Sequence, residues 1–475
     1  MIKLDAEQFK NTPTKETLKY LISKYSPARP ERLRNYYEGR QDILDRKMAD
    51  PVKPNNKIVS NVCAYITDTI VGYFMGQPVV YSEDDADKTE KKGIVKRAVD
   101  KVKSMVMLKD ITDDYVETLT DIFDFNNEQD HNAELAKGQS IAGVDYELLY
   151  MDEKAQVRFV ELPTESVMYA VSDGVDETPL IAVRVYTTDD LLQPDQKKYY
   201  YEVYTDSEII TYSAQKRNED VSLTEIDRRV HHFQEVPIIA YENNKEQLGD
   251  FEGVLTLQDE YNQVQSDTAN DFEYFTDAYL LMTGVRIDPQ DAAKMMEQRT
   301  INLPDKECSA EFLVKNINDA AIENYKNRLR EDIHTLSKTP NLNDENFGGN
   351  LTGVAISYKI WGMDQVVAVK ERKFKKGLQR RIRLITNILN MKGKNWDWRK
   401  IEITFSRNMP QNLAELSQMV GQLKGIVSDE TLIALLPFVT DPVMELERLA
   451  EQKESIDLDM IPPEPEVEDE PLGED

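Results

Sequence analysis

The residues with the greatest chemical capacity in this sequence are acidic. Between Asp110 and Ala136 stand nine Asp and Glu residues and no Lys or Arg. Within that run Asp113, Asp114 and Glu117 could form a carboxylate cluster for two metal ions, the arrangement that activates water against a phosphodiester. The apolar positions Ile111, Tyr115, Leu119, Ile122 and Phe123 recur at helical spacing in the same run. It therefore reads more simply as a helix with a solvated acidic face. Histidine adds little: the chain has His131, the adjacent pair His231–His232, and His334. Neighbouring residues on a strand point to opposite faces, so the pair makes a poor bidentate ligand. Cys63 and Cys308 lack metal-ligand spacing, exclude a disulfide framework and suit a reducing compartment. No metal and no cofactor is expected.

The motifs of nucleotide and hydrolase chemistry are also missing. No GxxxxGK[ST], GxGxxG after a strand, HExxH, CxxC pair or GxSxG occurs. The run GGNLTG from Gly348 follows a helix rather than a strand and has no lysine, so it is not a phosphate cradle. A structural or conduit protein is the leading expectation, and a metal-dependent DNA-processing enzyme using the carboxylates above is the alternative.

Cationic chemistry is confined to one place. Residues 366–400 carry twelve basic and two acidic residues, in a chain of net charge −29. Lys370, Arg372, Lys373, Lys375, Lys376, Arg380, Arg381 and Arg383 form its dense part. Two readings of that run stand open: it faces nucleic acid, or it pairs with acidic faces of neighbouring subunits. The second is preferred, because the acidic run after Asp110 has no partners in its own segment. An acidic chain cannot grip DNA over its whole surface, since affinity for phosphate comes from Lys and Arg.

The elements that would position these groups form a mixed chain of 475 residues, 40% apolar and 31% charged, with a mean hydropathy of −0.57. The start MIKLDAEQFKN has no apolar signal core. The apolar stretch from Ile58 is broken by Asn61, Thr67, Asp68 and Gln77, a poor membrane span but a good buried helix running into a strand. Synthesis in the cytoplasm and no membrane are expected. From about Asp145 to Tyr241 the segments DYELLYM, QVRFVEL, LIAVRVYT, KKYYYEVYT, SEIITYS and VPIIAYEN read as strands. A helix is expected from about Phe251 to Met282, with Val254, Leu257, Tyr261, Val264, Thr268, Phe272, Phe275 and Tyr279 as its stripe. A small mixed module spans 284–319, with DPQDAAKMMEQR as a helix and TINLPD and AEFLVKN as strands. A second helix then runs to Pro340. A long helix from about Leu351 to Met391 follows, capped by Asn350, with Gly362 and Gly377 as candidate bends. KIEITFS is a strand, and two or three helices follow between Gln411 and Lys453. The tail from Glu451 has eleven acidic residues against one Lys and is expected to be disordered.

Several of these segments, in this order, resemble the portal proteins of tailed bacteriophages, in the subfamily of long-tailed phages of Gram-positive hosts. NYYEGRQDIL at Asn35 is similar to an N-terminal signature of that family. PNNKIVSNVCAYITDTIVGYFMGQPVVY at Pro54 resembles its wing helix and following strand. LQDEYNQVQSDTANDFEYFTDAYLLMTG at Leu257 resembles the first stem helix. DENFGGNLTGVAISYKIWGMD at Asp344 resembles the tunnel loop and the start of the helix after it. The run from Phe405 to Leu449 is similar to the wing return and crown.

The resemblance implies an α+β, elongated portal-type subunit with a mainly helical wing, stem and crown, a β-rich part of the wing, and a small α/β clip. Its divisions would be a wing at 1–250, stem helix 1 at 251–283, clip at 284–319 and stem helix 2 at 320–339. A tunnel loop at 340–353, a long kinked helix and wing return strand at 354–410, a crown at 411–455 and a disordered acidic tail at 456–475 would complete it. It implies a non-enzymatic, twelve-subunit ring at one capsid vertex, built in the host cytoplasm and kept in the virion. Double-stranded DNA would pass through it during packaging and ejection, and the ring would help to initiate head assembly. Partners would be the terminase large subunit, the head-completion adaptor, and the major capsid and scaffolding proteins. The tunnel loop would comprise Asn341, Asn343, Asp344, Asn346, Phe347, Gly348, Gly349 and Asn350. Terminase and adaptor would bind the clip at Asp288, Gln290, Lys294, Glu297, Arg299, Lys306 and Glu307.

Overall fold

A computed structural model describes residues 1–51, 53–83, 114–190, 193–215, 222–276, 279–284, 288, 290, 294–295, 307–313, 319–342, 353–408, 413–436, 439, 445–446, 448–450 and 452. The chain divides into two compact units, one of residues 1–349 with 357–408, the other of residues 350–356 with 409–475.

The first unit is built on two sheets. β1 (Ile2–Leu4), β5 (Val167–Ser172), β6 (Pro179–Asp190), β7 (Gln193–Tyr204), β8 (Glu208–Ala214) and β9 (Thr224–Val230) form one, in that spatial order. β10 (Ile238–Glu242), β3 (Val144–Met151) and β4 (Val157–Leu162) form the other, all antiparallel. On one face of the larger sheet, Leu18 and Leu21 of helix Thr14–Lys24 pack against Met168, Ile181, Val183, Tyr201 and Ile210. On its other face, Tyr169, Val171, Ala182 and Tyr204 meet Tyr146, Leu148 and Ile238 of the smaller sheet.

Among the strands without a counterpart in the expected segments, β5 and β9 were missed for opposite reasons. β5 is buried at all six positions, so it has no polar alternation to mark it. β9 is exposed at all seven, so it has no apolar alternation either.

The acidic run is two helices, Asp114–Phe125 and Glu128–Ala142, rather than one. They part at Asn126, whose amide donates to Val157 O (3.1 Å) and accepts from Phe159 N (3.3 Å), tying the turn to β4. Asn127 follows with φ 51°, a left-handed conformation that Asn tolerates. Gly143 (φ 83°) closes the second helix.

Helix Leu255–Thr276 stops short of Met282, because Tyr279–Thr283 (β11) pairs antiparallel with Ser309–Leu313 (β12). Register from Tyr279↔Leu313 to Thr283↔Ser309 brings the two ends of the 284–308 segment together. The next helix, Asp319–Ser337, packs against Leu255–Thr276. It ends before Pro340, with Lys338 at φ 58° and the proline just after, a usual C-terminal arrangement. β2 (Val80–Glu83) and β13 (Ile401–Thr404) pair antiparallel.

The long helix Gly353–Met391 is continuous through both glycines. Gly377 is explained by packing rather than bending: a Cβ there would lie 2.4 Å from Cε1 of Tyr241. In the second unit, helices Leu413–Leu423 and Asp429–Ala434 are described, the latter capped by Ser428. The acidic tail lies outside the described residues.

Candidate functional site

Two features of the first unit carry the charged and polar groups at issue: the cationic side of the long helix, and the pair of helices on either side of 277–318. Along Gly353–Met391, Ile360, Met363, Val367, Phe374, Leu378, Ile382, Ile385 and Leu389 are buried at helical spacing, which anchors one face to the core. The cations sit beside this face. Lys370, 1% exposed, donates from Nζ to Asp250 Oδ2 at 2.5 Å and to Ser140 Oγ. Burial pulls its ammonium below the ordinary lysine range, and Asp250 opposes this. Lys373 meets Glu242 at 2.8 Å, while Arg383 meets Glu235 at 2.5 Å. Arg380 donates to Val236 O at 3.0 Å and lies 3.9 Å from Glu235.

Arg381 is fully buried between Glu147 of β3 (2.6 Å) and Glu128 of helix Glu128–Ala142 (3.1 Å). Glu147 also holds His131 Nε2 at 2.7 Å and accepts from the Tyr241 hydroxyl at 2.8 Å. Tyr81 donates to Glu128 at 2.5 Å, and the Arg381 guanidinium lies over the Phe159 ring at 4.7 Å. Burial alone would raise Glu147, but Arg381 and His131 outweigh it and hold the carboxyl at about 2. Every side of the guanidinium thus meets a carboxylate or an aromatic ring, the condition under which a buried charge is tolerated.

This revises the reading of the basic run. Lys370, Lys373, Arg380, Arg381 and Arg383 pair with acidic groups of their own chain, and Lys370 and Arg381 are too buried to meet DNA or a neighbour. Glu128, from the acidic run, is one of the partners. Arg372, Lys375 and Lys376 make no ion pair among the described residues. No sequence signal identified Asp250, Glu147 or Glu128 as partners, because they lie 120, 234 and 253 positions from their cations.

Helix Leu255–Thr276 is held to the chain by a polar ladder. Gln258, Asn262 and Ser266 of helix Leu255–Thr276 are 0% exposed and spaced four apart, and so lie on one face. They grip the extended segment before helix Val62–Met75: Ser60 N donates to Asn262 Oδ1 (2.9 Å), Ile58 N to Ser266 Oγ (2.9 Å), and Asn56 N to Asn270 Oδ1 (2.7 Å). The ladder satisfies a backbone that has no sheet partner. Of the expected apolar stripe, Val254 is buried at one end, while Phe272 is 59% exposed.

At the far end of Asp319–Ser337 the chain enters the Asn341–Asn350 run. The Tyr65 hydroxyl donates to Pro340 O (2.9 Å) and accepts from Leu342 N (2.8 Å). His334 stands edge-on to the Tyr65 ring and bonds Thr339 O at 3.0 Å. Asn341 lies on this clamped root. Asn343, Asp344, Asn346, Phe347, Gly348, Gly349 and Asn350 lie outside the described residues. Asp288, Gln290, Lys294 and Glu307 are exposed, and Glu297, Arg299 and Lys306 lie outside the described residues. Asp113 also lies outside them, Glu117 is exposed, and no group of three His, Cys, Asp or Glu that could hold a metal occurs among the described residues.

Comparison with known proteins bears on this arrangement. A family model described as "Phage portal protein, SPP1 Gp6-like" matches residues 22–458. The portal protein of Bacillus phage SPP1 is 25% identical over 434 residues, covering 88% of this chain and 80% of that protein. The portal protein of Clostridium phage phiCD119 is 23% identical over 468 residues, covering 93% and 96%. A chain from a solved structure described as "Neck of empty GTA particle computed with C6 symmetry" aligns with a TM-score of 0.45 and 11% identity, over 79% of this chain and 89% of that one.

Proposed function

The chain belongs to the phage portal protein family of SPP1 Gp6-like type, and from that premise we propose that it is one subunit of a ring, twelve-fold in the virion, at a single capsid vertex. Double-stranded DNA passes through the ring during packaging and ejection. The observation that carries this reading is a family match extending over residues 22–458. The family is structural; ATP hydrolysis belongs to the terminase, which docks at the 284–319 segment before the head-completion adaptor replaces it. Asp288, Gln290, Lys294, Glu297, Arg299, Lys306 and Glu307 are its candidate contacts. Capsid and scaffolding proteins surround the ring during assembly in the host cytoplasm. No described helix is long and apolar enough to cross a membrane. The metal-dependent nuclease alternative finds no support in these relatives. Electron microscopy of the purified full chain tests the reading: rings with a central hole are expected. A globular monomer that cleaves DNA with Mg²⁺ would overturn it.

The long helices leave apolar surface for neighbouring subunits. Tyr358 is 79% exposed and Trp361 64%, three residues apart on the long helix. Large aromatics in a subunit interface each contribute on the order of 2 kcal/mol. The double variant Tyr358→Ala/Trp361→Ala is expected to shift the protein from rings to smaller species at micromolar concentration, read by sedimentation velocity. An unchanged ring fraction would remove both residues from the interface.

Asn341–Asn350 supplies the tunnel loop at the narrow part of the channel. Neutral asparagines hold phosphate weakly, and the Gly348–Gly349 pair lets the backbone turn at low steric cost. Phe347→Ala or Gly349→Pro is expected to leave rings assembled but to reduce packaged DNA in a nuclease-protection assay. Wild-type packaging by both variants would discard the role. The three cations without ion pairs among the described residues, Arg372, Lys375 and Lys376, remain the part of the basic run available to DNA or a neighbour.

A further inference from the structure

A cleft of about 630 Å³ opens between the start of β6, the turn after β10 and one flank of the long helix. Its walls carry more cations than anions, although the chain as a whole has a net charge of −29. Lys245, Lys373, Lys376, Arg380 and Arg383 line it, together with the Met1 amine and Lys3. Asp176, Glu177, Glu242 and Glu246 are its acidic groups.

Internal pairing does not exhaust this positive charge. Lys3 is held by Glu177 at 2.6 Å and Lys373 by Glu242 at 2.8 Å. Arg380 and Arg383 share the single carboxylate of Glu235. Nε of each of these arginines is buried and has no hydrogen-bond partner among the described residues, although a buried guanidinium N–H ordinarily finds an acceptor. Arg383 is further fixed over the Trp398 ring, 5.7 Å from its centroid. Lys245 and Lys376 are exposed and make no ion pair among the described residues. The cleft therefore presents two exposed ammonium groups without carboxylate partners among the described residues, Lys245 and Lys376, beside arginines whose position is already set by other contacts. Such preorganisation lowers the ordering cost of a ligand.

We propose that this cleft is the docking site for an acidic peptide segment of a partner protein, bound in extended form through its carboxylates. The volume lies in the range of sites that take drug-sized ligands, which corresponds to a few residues of extended chain. Guanidinium groups match carboxylates in bidentate geometry. Duplex DNA fits less well. It carries one charge per about 1.7 Å of helix axis, so its phosphates would be pressed against Asp176, Glu177 and Glu246 as well. Side chains of an extended peptide alternate in direction, which lets carboxylates meet the cations while neutral residues pass the acidic groups. The inference does not depend on ring formation.

Fluorescence anisotropy of the full chain with a fluorescein-labelled peptide of alternating Glu and Gly tests it. A Gln–Gly peptide and a short labelled DNA duplex serve as comparisons. The wild type is expected to bind the Glu peptide, with affinity falling as salt rises, and to ignore the Gln peptide. Lys245→Glu/Lys376→Glu, which breaks no ion pair seen here, is expected to weaken binding by about tenfold or more. Lys154→Glu, on the exposed turn between β3 and β4, should leave it unchanged. Three results would each overturn the proposal: no binding of the Glu peptide, equal weakening by Lys154→Glu, or duplex binding that matches the peptide and is lost with the same double substitution.

Discussion

Replacing Arg381 with methionine is expected to cost about 3–5 kcal/mol of unfolding free energy at neutral pH, the usual penalty for removing one partner of a buried ion pair. The volume is nearly conserved, so the loss is electrostatic. Glu147 and Glu128, 0% and 5% exposed at their side chains, are left facing each other without a guanidinium between them. The pH dependence distinguishes this from a packing defect. In the wild type Glu147 is held at about 2, below its ordinary 4.5. A carboxyl with a lowered folded-state value contributes stability above its unfolded value and loses it as pH falls through the folded one. The wild type therefore gives up that contribution between about pH 4.5 and 2. In the variant, burial is opposed only by His131 and the Tyr241 hydroxyl, so Glu147 binds a proton more readily and relieves the unpaired charge. The gap between the two proteins should be widest near pH 7 and narrow toward pH 3 in urea unfolding at one protein concentration. A gap that stays constant with pH, or is below about 1 kcal/mol at pH 7, would show that the network is not what secures the helix. Arg372→Met, at an exposed position, should change stability by less than about 0.5 kcal/mol.

The second large effect separates two glycines of one helix. Gly→Ala within a helix ordinarily gains about 1 kcal/mol. At Gly362 the nearest atom to an added Cβ is 3.7 Å away, an ordinary contact, and that gain is expected. At Gly377 the added Cβ would meet Tyr241 at 2.4 Å from Cε1 and 2.5 Å from Cδ1. Tyr241 is fully buried and its hydroxyl is bonded to Glu147, so the ring cannot retreat without disturbing the Arg381 network. Overpacking of this kind costs about 1–3 kcal/mol. Gly377→Ala should lower the urea midpoint and Gly362→Ala should raise it slightly. Equal shifts in both would refute the close-approach explanation of Gly377.

Much of the fold was legible because the signals are local. Helical apolar spacing marked Val62–Met75 and the long helix, and runs rich in Val, Ile and Tyr between turn-prone residues marked six of the strands in the β-rich region. Where a local signal was absent, the reading failed in a definite way. β5 is buried on both faces and β9 exposed on both, so neither alternates. β11 lay on a continuing helical stripe, yet its pairing with β12 stopped the helix. The turn at Asn126 depends on β4, thirty residues later, and no spacing within the acidic run could have announced it.

By itself, the sequence determined the order and type of most elements, the absence of nucleotide-binding and hydrolase motifs, the concentration of positive charge on one helix, and a resemblance spread along the chain that the family match then supported. The tertiary structure alone decided what that charge does. Five of the eight cations meet carboxylates of their own chain, brought from positions more than a hundred residues away. Gly377 proved to be a seat for Tyr241 rather than a bend. The physical reason is the same in each case. Periodicity follows from backbone geometry within a few residues, whereas burial, charge pairing and close approach are properties of surfaces that meet only after the chain has folded.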